Sequence, residues 1–398
     1  MRSALRLAVA VCLALPGFAR AADSVKPVKA PRLIYKAVPF SQIEGWQTDD
    51  MRGALIAFRI GCGAKPKVLN DKRKLRIQAA LAEVCARAGR LDLSGQDGAR
   101  NAKRFFQKNF RPYRVTAPDG APSKGLLTAY YEPEIAGSLT PTAEFSVPVL
   151  RRPADLIDLV DPVQRATVND RLGAMRRLAD GSLVPYFTRG EIEDGALGDR
   201  KLELVYLADP VVAFFMHIQG SAKINLPDGK SIRIGFDGKN GYPYTSIARV
   251  LIDRGELARA DSTTPRLEAW LRADPARGRK VMQENRSYIF FKANTELSDA
   301  EGPLGGQGVP LTPGRSLAID AGVHVLGTPI FVDGGNLDVD GSKQFRRLMI
   351  AQDVGSAIKG AERGDLYIGS GQAAGKIAGG IKHDGKFIVL LPRSIKKP

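Results

Sequence analysis

Much that would mark a metal, serine or membrane-spanning protein is scarce in this chain of 398 residues. It has three cysteines and three histidines. His217, His324 and His383 are widely scattered, without the spacing of a zinc site. No G-x-S-x-G stretch is present, so the elbow that presents a nucleophilic serine is missing. Beyond a short apolar run at the N-terminus, no segment approaches the ~20 apolar residues that a helical span requires. Acidic residues are the minority charge, 42 against 59 Lys and Arg, for a net charge of +17. Yet no Lys/Arg block is dense enough to be a nucleic-acid arm. No internal repeat is evident. These absences leave no cofactor or metal, no transmembrane anchor and no nucleic acid among the expected partners.

The N-terminus has the form of an export signal. Arg2 and Arg6 are its basic region, residues 7–15 its apolar core, and Ala19-Arg20-Ala21 its cleavage signal. Cys12 lies inside the apolar core without the small residues of a lipoprotein processing site. The expected mature protein starts near Ala22, periplasmic, soluble and not lipidated. Cleavage removes three arginines and lowers the charge to +14. Such a surface favours anionic partners, a carboxylate-bearing wall polymer among them, although solubility alone would also explain it. In an oxidising compartment Cys62 and Cys85 most simply form one disulfide, with two buried thiols as the alternative. A loop of this size closed by a bridge gains roughly 3 kcal/mol.

With 42 glycines and 25 prolines between short hydrophobic runs, the chain reads as mainly β with a helical minority. Its length exceeds what one core usually supports, so two domains are expected. After an extended lead-in over 22–40, apolar spacing predicts a helix over 71–88, with Leu75, Ala79, Ala82, Cys85 and Ala88 as its stripe and Leu81 and Val84 beside them. A second helix should follow Ser94, where Ser-Gly-Gln-Asp resembles a capping box, with Phe105 and Phe106 in the core. A strand stops at Pro133. Residues 136–245 read as strands and turns throughout, including VVAFFMHIQGS, with Asp228-Gly229 turning a hairpin. Helices are expected near 245–254 and 265–272, and strands from 286 to the end. An all-β middle between two ends of one domain suggests an insertion, with a cleft between the parts as the binding site.

The run from 347 to 375 carries the clearest chemistry. Asp353 and Asp365 stand twelve residues apart, each ending a β-rich run, with a glycine-punctuated loop between. A carboxyl held where a strand meets an open loop is well placed to move a proton. Alone, such a pair is as readily a turn cap or a partner for Lys359 or Arg363. The Gly369-Ser-Gly371 stretch resembles a dinucleotide fingerprint, but too little chain follows for the βαβ unit that motif needs.

Six stretches in order resemble the membrane-bound lytic murein transglycosylase A family: Gly45-Trp46 with Asp49-Asp50, Leu126-Leu-Thr-Ala-Tyr-Tyr-Glu-Pro133, Ile218-Gln-Gly-Ser221, Gly238-Lys-Asn-Gly-Tyr-Pro-Tyr-Thr-Ser246, Asn285-Arg-Ser-Tyr-Ile-Phe-Phe291, and 347–375. One departure is Ala222, where the family usually has glycine. The resemblance implies a double-psi β-barrel from 41–135 and 286–398, with a second β-barrel inserted at 136–285 to bind glycan. It implies cleavage of the β-1,4 bond between N-acetylmuramic acid and N-acetylglucosamine, leaving a 1,6-anhydromuramyl end. Peptidoglycan glycan strands are the implied partner, with other cell-wall enzymes beside them.

By the same resemblance the single acid/base maps to Asp365, and the three-aspartate segment falls on Asp320, Asp353 and Asp365. Ordinary glycosidases need two carboxyls. Here the sugar's own C6 hydroxyl attacks, so one suffices. Asp365 must then hold its proton well above a pKa of about 4, raised by burial and by Asp353. Asp353 is expected to support it. Thr128, Tyr130 and Tyr131 should face the cleft, and Gln219, Gly220, Ser221, Lys239, Asn240 and Tyr242 should line it from the insertion. Asp320 is a substrate-binding candidate that is equally well a turn former. A non-catalytic wall-binding protein on the same fold is the competing reading.

Overall fold

The computed structural model describes residues 33–65, 69, 71–95, 97–116, 125–159 and 172–396. The export signal and most of the lead-in lie outside these residues. The part of the lead-in that is described forms β1 (Ile34–Ala37), laid antiparallel on β2 (Phe110–Thr116).

Six strands close into a barrel, and both ends of the chain build it. They are β3 (Gly125–Glu132), β13 (Ser316–Ile319), β14 (Pro329–Asp333), β15 (Arg346–Val354), β16 (Arg363–Ser370) and β17 (Lys382–Pro392). The order β17-β14-β15-β13-β16-β3 returns to β17, so no edge remains within the ring. Two pairings, β13 with β15 and β16 with β3, are parallel, as the expected double-psi crossing requires. The inner strands β13 and β14 read as continuous apolar runs because both faces are covered; all four residues of β13 are buried. Helices α1 (Arg52–Cys62), α2 (Lys72–Ala88) and α3 (Gly98–Asn109) pack outside the ring. Phe105 and Phe106 of α3 do enter the core, Phe106 edge-on to Phe58 and Phe105 edge-on to Phe110. A disulfide joins Cys62 to Cys85 and so ties α1 to α2.

Pro133 ends β3 as expected and passes the chain directly to a second sheet. This sheet takes β4 (Glu134–Ser138), β5 (Val147–Leu150), β9 (Glu203–Leu207), β10 (Ser221–Asn225), β11 (Ser231–Lys239) and β12 (Ile289–Ala293), in the order β12-β11-β10-β4-β9-β5. A bridge between Arg151 and Phe291 brings its two edges together. A small sheet, β6 (Leu156–Asp158), β7 (Ala174–Arg177) and β8 (Leu183–Pro185), flanks it. Gly229, at φ +81°, turns the β10–β11 hairpin.

Four sequence expectations are corrected here. VVAFFMHI is a helix, α5 (Pro210–Gln219), after the short α4 (Arg189–Glu193). The Asp209 carboxylate caps it at the Val211 N–H (2.7 Å), Pro210 suits its first turn, and Gly220 at φ +84° ends it. These end signals outweigh the β-prone composition between them. The buried stripe of α2 runs through Ile77, Leu81, Val84 and Ala88, whereas Leu75 is 44 % exposed. The helix after Ser94 starts only at Gly98, without a capping box. Beside α6 (Ile247–Asp253) and α7 (Thr264–Ala273), four helices were not foreseen: α1, α4, α8 (Pro275–Glu284) and α9 (Gly371–Gly379).

Candidate active site

Strand register assembles the site. Asp365 of β16 stands opposite Thr128 of β3 on one side and Ala318 of β13 on the other. Ala318 in turn stands opposite Asp353 of β15. Thr128, Asp365, Ala318 and Asp353 therefore form one row across four neighbouring strands. Residues directly opposite share a face, and Asp365, Ala318 and Asp353 all line a cleft of 210 Å³ between the barrel and the second sheet. With strands ~4.8 Å apart, the two aspartate backbones are roughly 10 Å apart. The small Ala318 between them leaves the space that a larger side chain would fill.

A directed chain of hydrogen bonds holds Asp365. The Arg363 guanidinium donates to Thr128 Oγ1 (2.8 Å), and the Thr128 hydroxyl donates to Asp365 Oδ1. Accepting from Arg363 leaves the one Thr128 proton free to point at Oδ1. With Oδ1 taken up by that donor, Oδ2 is the oxygen left to carry an acidic proton. Burial pushes the Asp365 carboxyl above the ordinary aspartate range; Thr128 and Arg363 oppose this, and Asp353 adds the smallest push upward. Desolvation therefore outweighs the neighbouring anion as the cause.

Asp353 is held differently. Its Oδ1 accepts from the Gly306 and Val354 N–H groups (2.6 and 2.8 Å), and its Oδ2 from the Tyr130 hydroxyl (2.6 Å). Tyr130 lines the cleft and packs on Tyr367 at 5.4 Å. Burial and the nearby aspartates keep its phenol neutral. Tyr131 points the other way, as strand alternation demands, and its ring lies where a Cβ on Gly375 of α9 would approach to 2.8 Å.

The second sheet contributes Gln219 and Lys239 to the cleft. Gln219 Oε1 accepts from the Tyr131 N–H (3.3 Å), joining α5 to β3. Gly220 and Ser221, expected to grip substrate, do not line the cleft: Gly220 terminates α5 and Ser221 is buried at the start of β10. Asn240 is corrected as well. It is fully buried; its amide donates to the Phe187 and Arg286 carbonyls (2.8 and 2.9 Å), and its Oδ1 accepts from the Tyr288 N–H (2.8 Å). Tyr242 is buried with its hydroxyl on the Tyr186 carbonyl (2.9 Å). Asp320 lies off the cleft. Its oxygens accept from Gly322 and Gly360 N–H groups (2.8 and 2.9 Å), and Lys359 pairs with it at 3.5 Å. It thereby anchors the end of the loop whose residues 355–358 form a cleft wall.

Sequence reasoning missed Arg189 and His217, which back the cleft. Arg189 is 2 % exposed, lies over the Phe214 and Tyr288 rings, and donates to the Ser287 carbonyl (2.7 Å). His217 is buried beside it, and its ring is held well below the usual histidine pKa by burial and by that cation. Neither carries a sequence signal. Arg363 does: it lies two residues before Asp365 on one strand and so shares its face. The two lobes are also joined by a buried ion pair, Arg233 Nε to Glu132 Oε1 at 2.8 Å, with the Ser370 hydroxyl on the other Glu132 oxygen.

Comparison with known proteins places this geometry in context. The profile of the MltA specific insert domain matches residues 126–292, and that of the 3D domain matches 315–391. The membrane-bound lytic murein transglycosylase A of Escherichia coli K12 is 33% identical over 293 residues, 71% of each chain. Its namesake from Vibrio cholerae is 37% identical over 205 residues, 50% of this chain and about half (54%) of that one. The crystal structure of a membrane-bound lytic murein transglycosylase from Agrobacterium tumefaciens aligns with a TM-score of 0.80 at 33% identity, covering 90% of this chain and 98% of that one. That of E. coli MltA with bound chitohexaose aligns with a TM-score of 0.61 at 27% identity, covering 92% and 93%.

Proposed function

The chain belongs to the membrane-bound lytic murein transglycosylase A family, and from that premise we propose that it cleaves the β-1,4 bond from N-acetylmuramic acid to N-acetylglucosamine in peptidoglycan, closing a 1,6-anhydro ring. The observation that carries this reading is the row Thr128–Asp365–Ala318–Asp353, with one half-buried carboxyl that is raised in pKa and lines the cleft.

In the proposed reaction Asp365 gives the proton on Oδ2 to the glycosidic oxygen as the bond from C1 breaks. The muramyl O6 attacks C1 from within the same sugar, and its proton returns to Asp365. The enzyme supplies no nucleophile and consumes no water. Holding O6 against C1 replaces a bimolecular encounter, which lowers a barrier by up to ~10 kcal/mol in ideal cases. Thr128 and Arg363 hold the carboxyl in one orientation. Asp353, fixed by three donors, sets a carboxylate across the row where positive charge develops on the ring.

The bound chitohexaose of the E. coli relative supports a β-1,4-linked N-acetylglucosamine-type polymer as the ligand class. We take the barrel residues 41–135 and 286–398 as the catalytic domain and 136–285 as the glycan-binding one. Among the described residues no helix is long and apolar enough to cross a membrane, and we propose a soluble, unlipidated periplasmic protein. Recovery in the membrane fraction after export would contradict that. The reaction itself is tested by digesting peptidoglycan in ¹⁸O water. Ring closure predicts anhydro ends without ¹⁸O; labelled reducing ends would indicate a hydrolase, and unchanged polymer a binding protein.

A further inference from the structure

Lys239 is the last residue of β11 and lines the cleft together with Asp365. Its backbone is fixed on both sides. It pairs with Ile289 of β12, and the next residue, Asn240, exchanges hydrogen bonds with Tyr288 through both its backbone N–H and its side-chain oxygen (3.0 and 2.8 Å). Beyond it Gly241, at φ +93°, passes so close to β7 that a Cβ would lie 2.3 Å from the Ala174 carbonyl oxygen. The Lys239 side chain thus leaves from a fixed point of the backbone at the cleft wall.

Among the described residues Lys239 forms no ion pair. Burial, and after it the like charge of Lys359, hold its pKa down. Lys359 is itself paired with Asp320. The cleft therefore holds a partly desolvated cation on the wall of the second sheet, facing the barrel that carries the proton-transfer row. A cation in such a place gains most from an incoming carboxylate. The muramyl ring, unlike N-acetylglucosamine, carries one on its side arm: the lactyl ether on C3 ends in an acid, or in a stem peptide with its own acids.

We propose that Lys239 binds a carboxylate of the muramyl side arm and so distinguishes murein from an uncharged N-acetylglucosamine polymer. The inference rests on the transglycosylase reading above. Its test uses the full chain with Asp365→Asn to prevent turnover. Calorimetry compares chitohexaose, a peptide-free GlcNAc-MurNAc oligosaccharide and a stem-bearing one, with Lys239 intact or changed to Gln or Arg.

Lys239→Gln should weaken muramyl ligands roughly tenfold or more, the scale of one charge-assisted hydrogen bond. It should leave chitohexaose within about twofold, and Lys239→Arg should retain most of the muramyl affinity. Loss on the peptide-free ligand assigns the lactyl carboxylate; loss on the stem-bearing ligand alone assigns the peptide. Equal weakening of all three ligands, or of none, overturns the proposal. Failure of the Lys239-intact protein to bind any of them would instead overturn the glycan reading beneath it.

Discussion

On the barrel side of the cleft, Asp365 lines the cavity and has a hydrogen bond to one carboxyl oxygen, Oδ1, among the described residues. On the inserted side, Asn240 commits its amide and carbonyl to three backbone groups and has nothing left for a ligand. Both are polar residues beside a strand end, in stretches that resemble family motifs. The difference is in their partners. Asp365 is held by one side chain that is itself held, which orients it without using it up. Asn240 and Arg189 are bonded to main-chain carbonyls, which makes them supports for the wall behind the cleft. Polar groups of the barrel row should therefore govern turnover, and the buried, backbone-bonded polar groups of the inserted part should govern folding.

Asp365→Asn sharpens this contrast most. Loss of a general acid costs about 10²–10⁴ in rate, whereas the fold should not suffer. A carboxyl whose pKa is raised in the folded state favours folding below its unfolded pKa, and that contribution is lost as pH rises through the folded value. The variant should thus melt at or above the wild-type temperature at pH 7, with the gain shrinking toward pH 4; calorimetry across that range checks it. At the junction, Arg233→Met should cost about 3–5 kcal/mol, because it strands the buried Glu132 carboxylate, and denaturant unfolding measures this. Asn240→Ala leaves the Phe187 carbonyl and the Tyr288 N–H without this partner and takes one of two donors from the Arg286 carbonyl, at about 1–3 kcal/mol for each group left unpaired. It should lower the melting temperature far more than kcat, and a selective loss of kcat with an unchanged melting temperature would break the comparison. Smallest is Arg363→Gln. Arg363 holds the Asp365 pKa down, so its removal should move the alkaline limb of the pH–rate profile upward while kcat falls modestly. A downward move would refute the directed Arg363–Thr128–Asp365 chain.

Much of the barrel was legible before any coordinates. Pro133 stops β3, and the strands after residue 286 are short apolar runs between turn residues, which strand geometry alone explains. The contact of Thr128 with Asp365 was not legible from spacing, since 237 residues separate them; only the parallel pairing of β16 with β3 creates it. In α5 the apolar content misled because Val and Phe favour strands, while Asp209, Pro210 and Gly220 at its ends held the decisive information. The face of α2 was misplaced because Leu75 resembles a core residue, yet its position on the helix turns it to solvent. Asn240 resembled a ligand group because glycines flank it. Its burial depends on carbonyls from Phe187 and Arg286, which no local pattern announces.

The central claim is that burial in the strand row leaves Asp365 protonated where an ordinary aspartate has ionised. Titration of its side-chain carboxyl carbon by ¹³C NMR, assigned through the signal that Asp365→Asn removes, tests that claim directly. A midpoint clearly above the ordinary value of about 4 is the predicted result. A midpoint at or below it, in protein that still releases anhydro-ended sugar, would contradict the account.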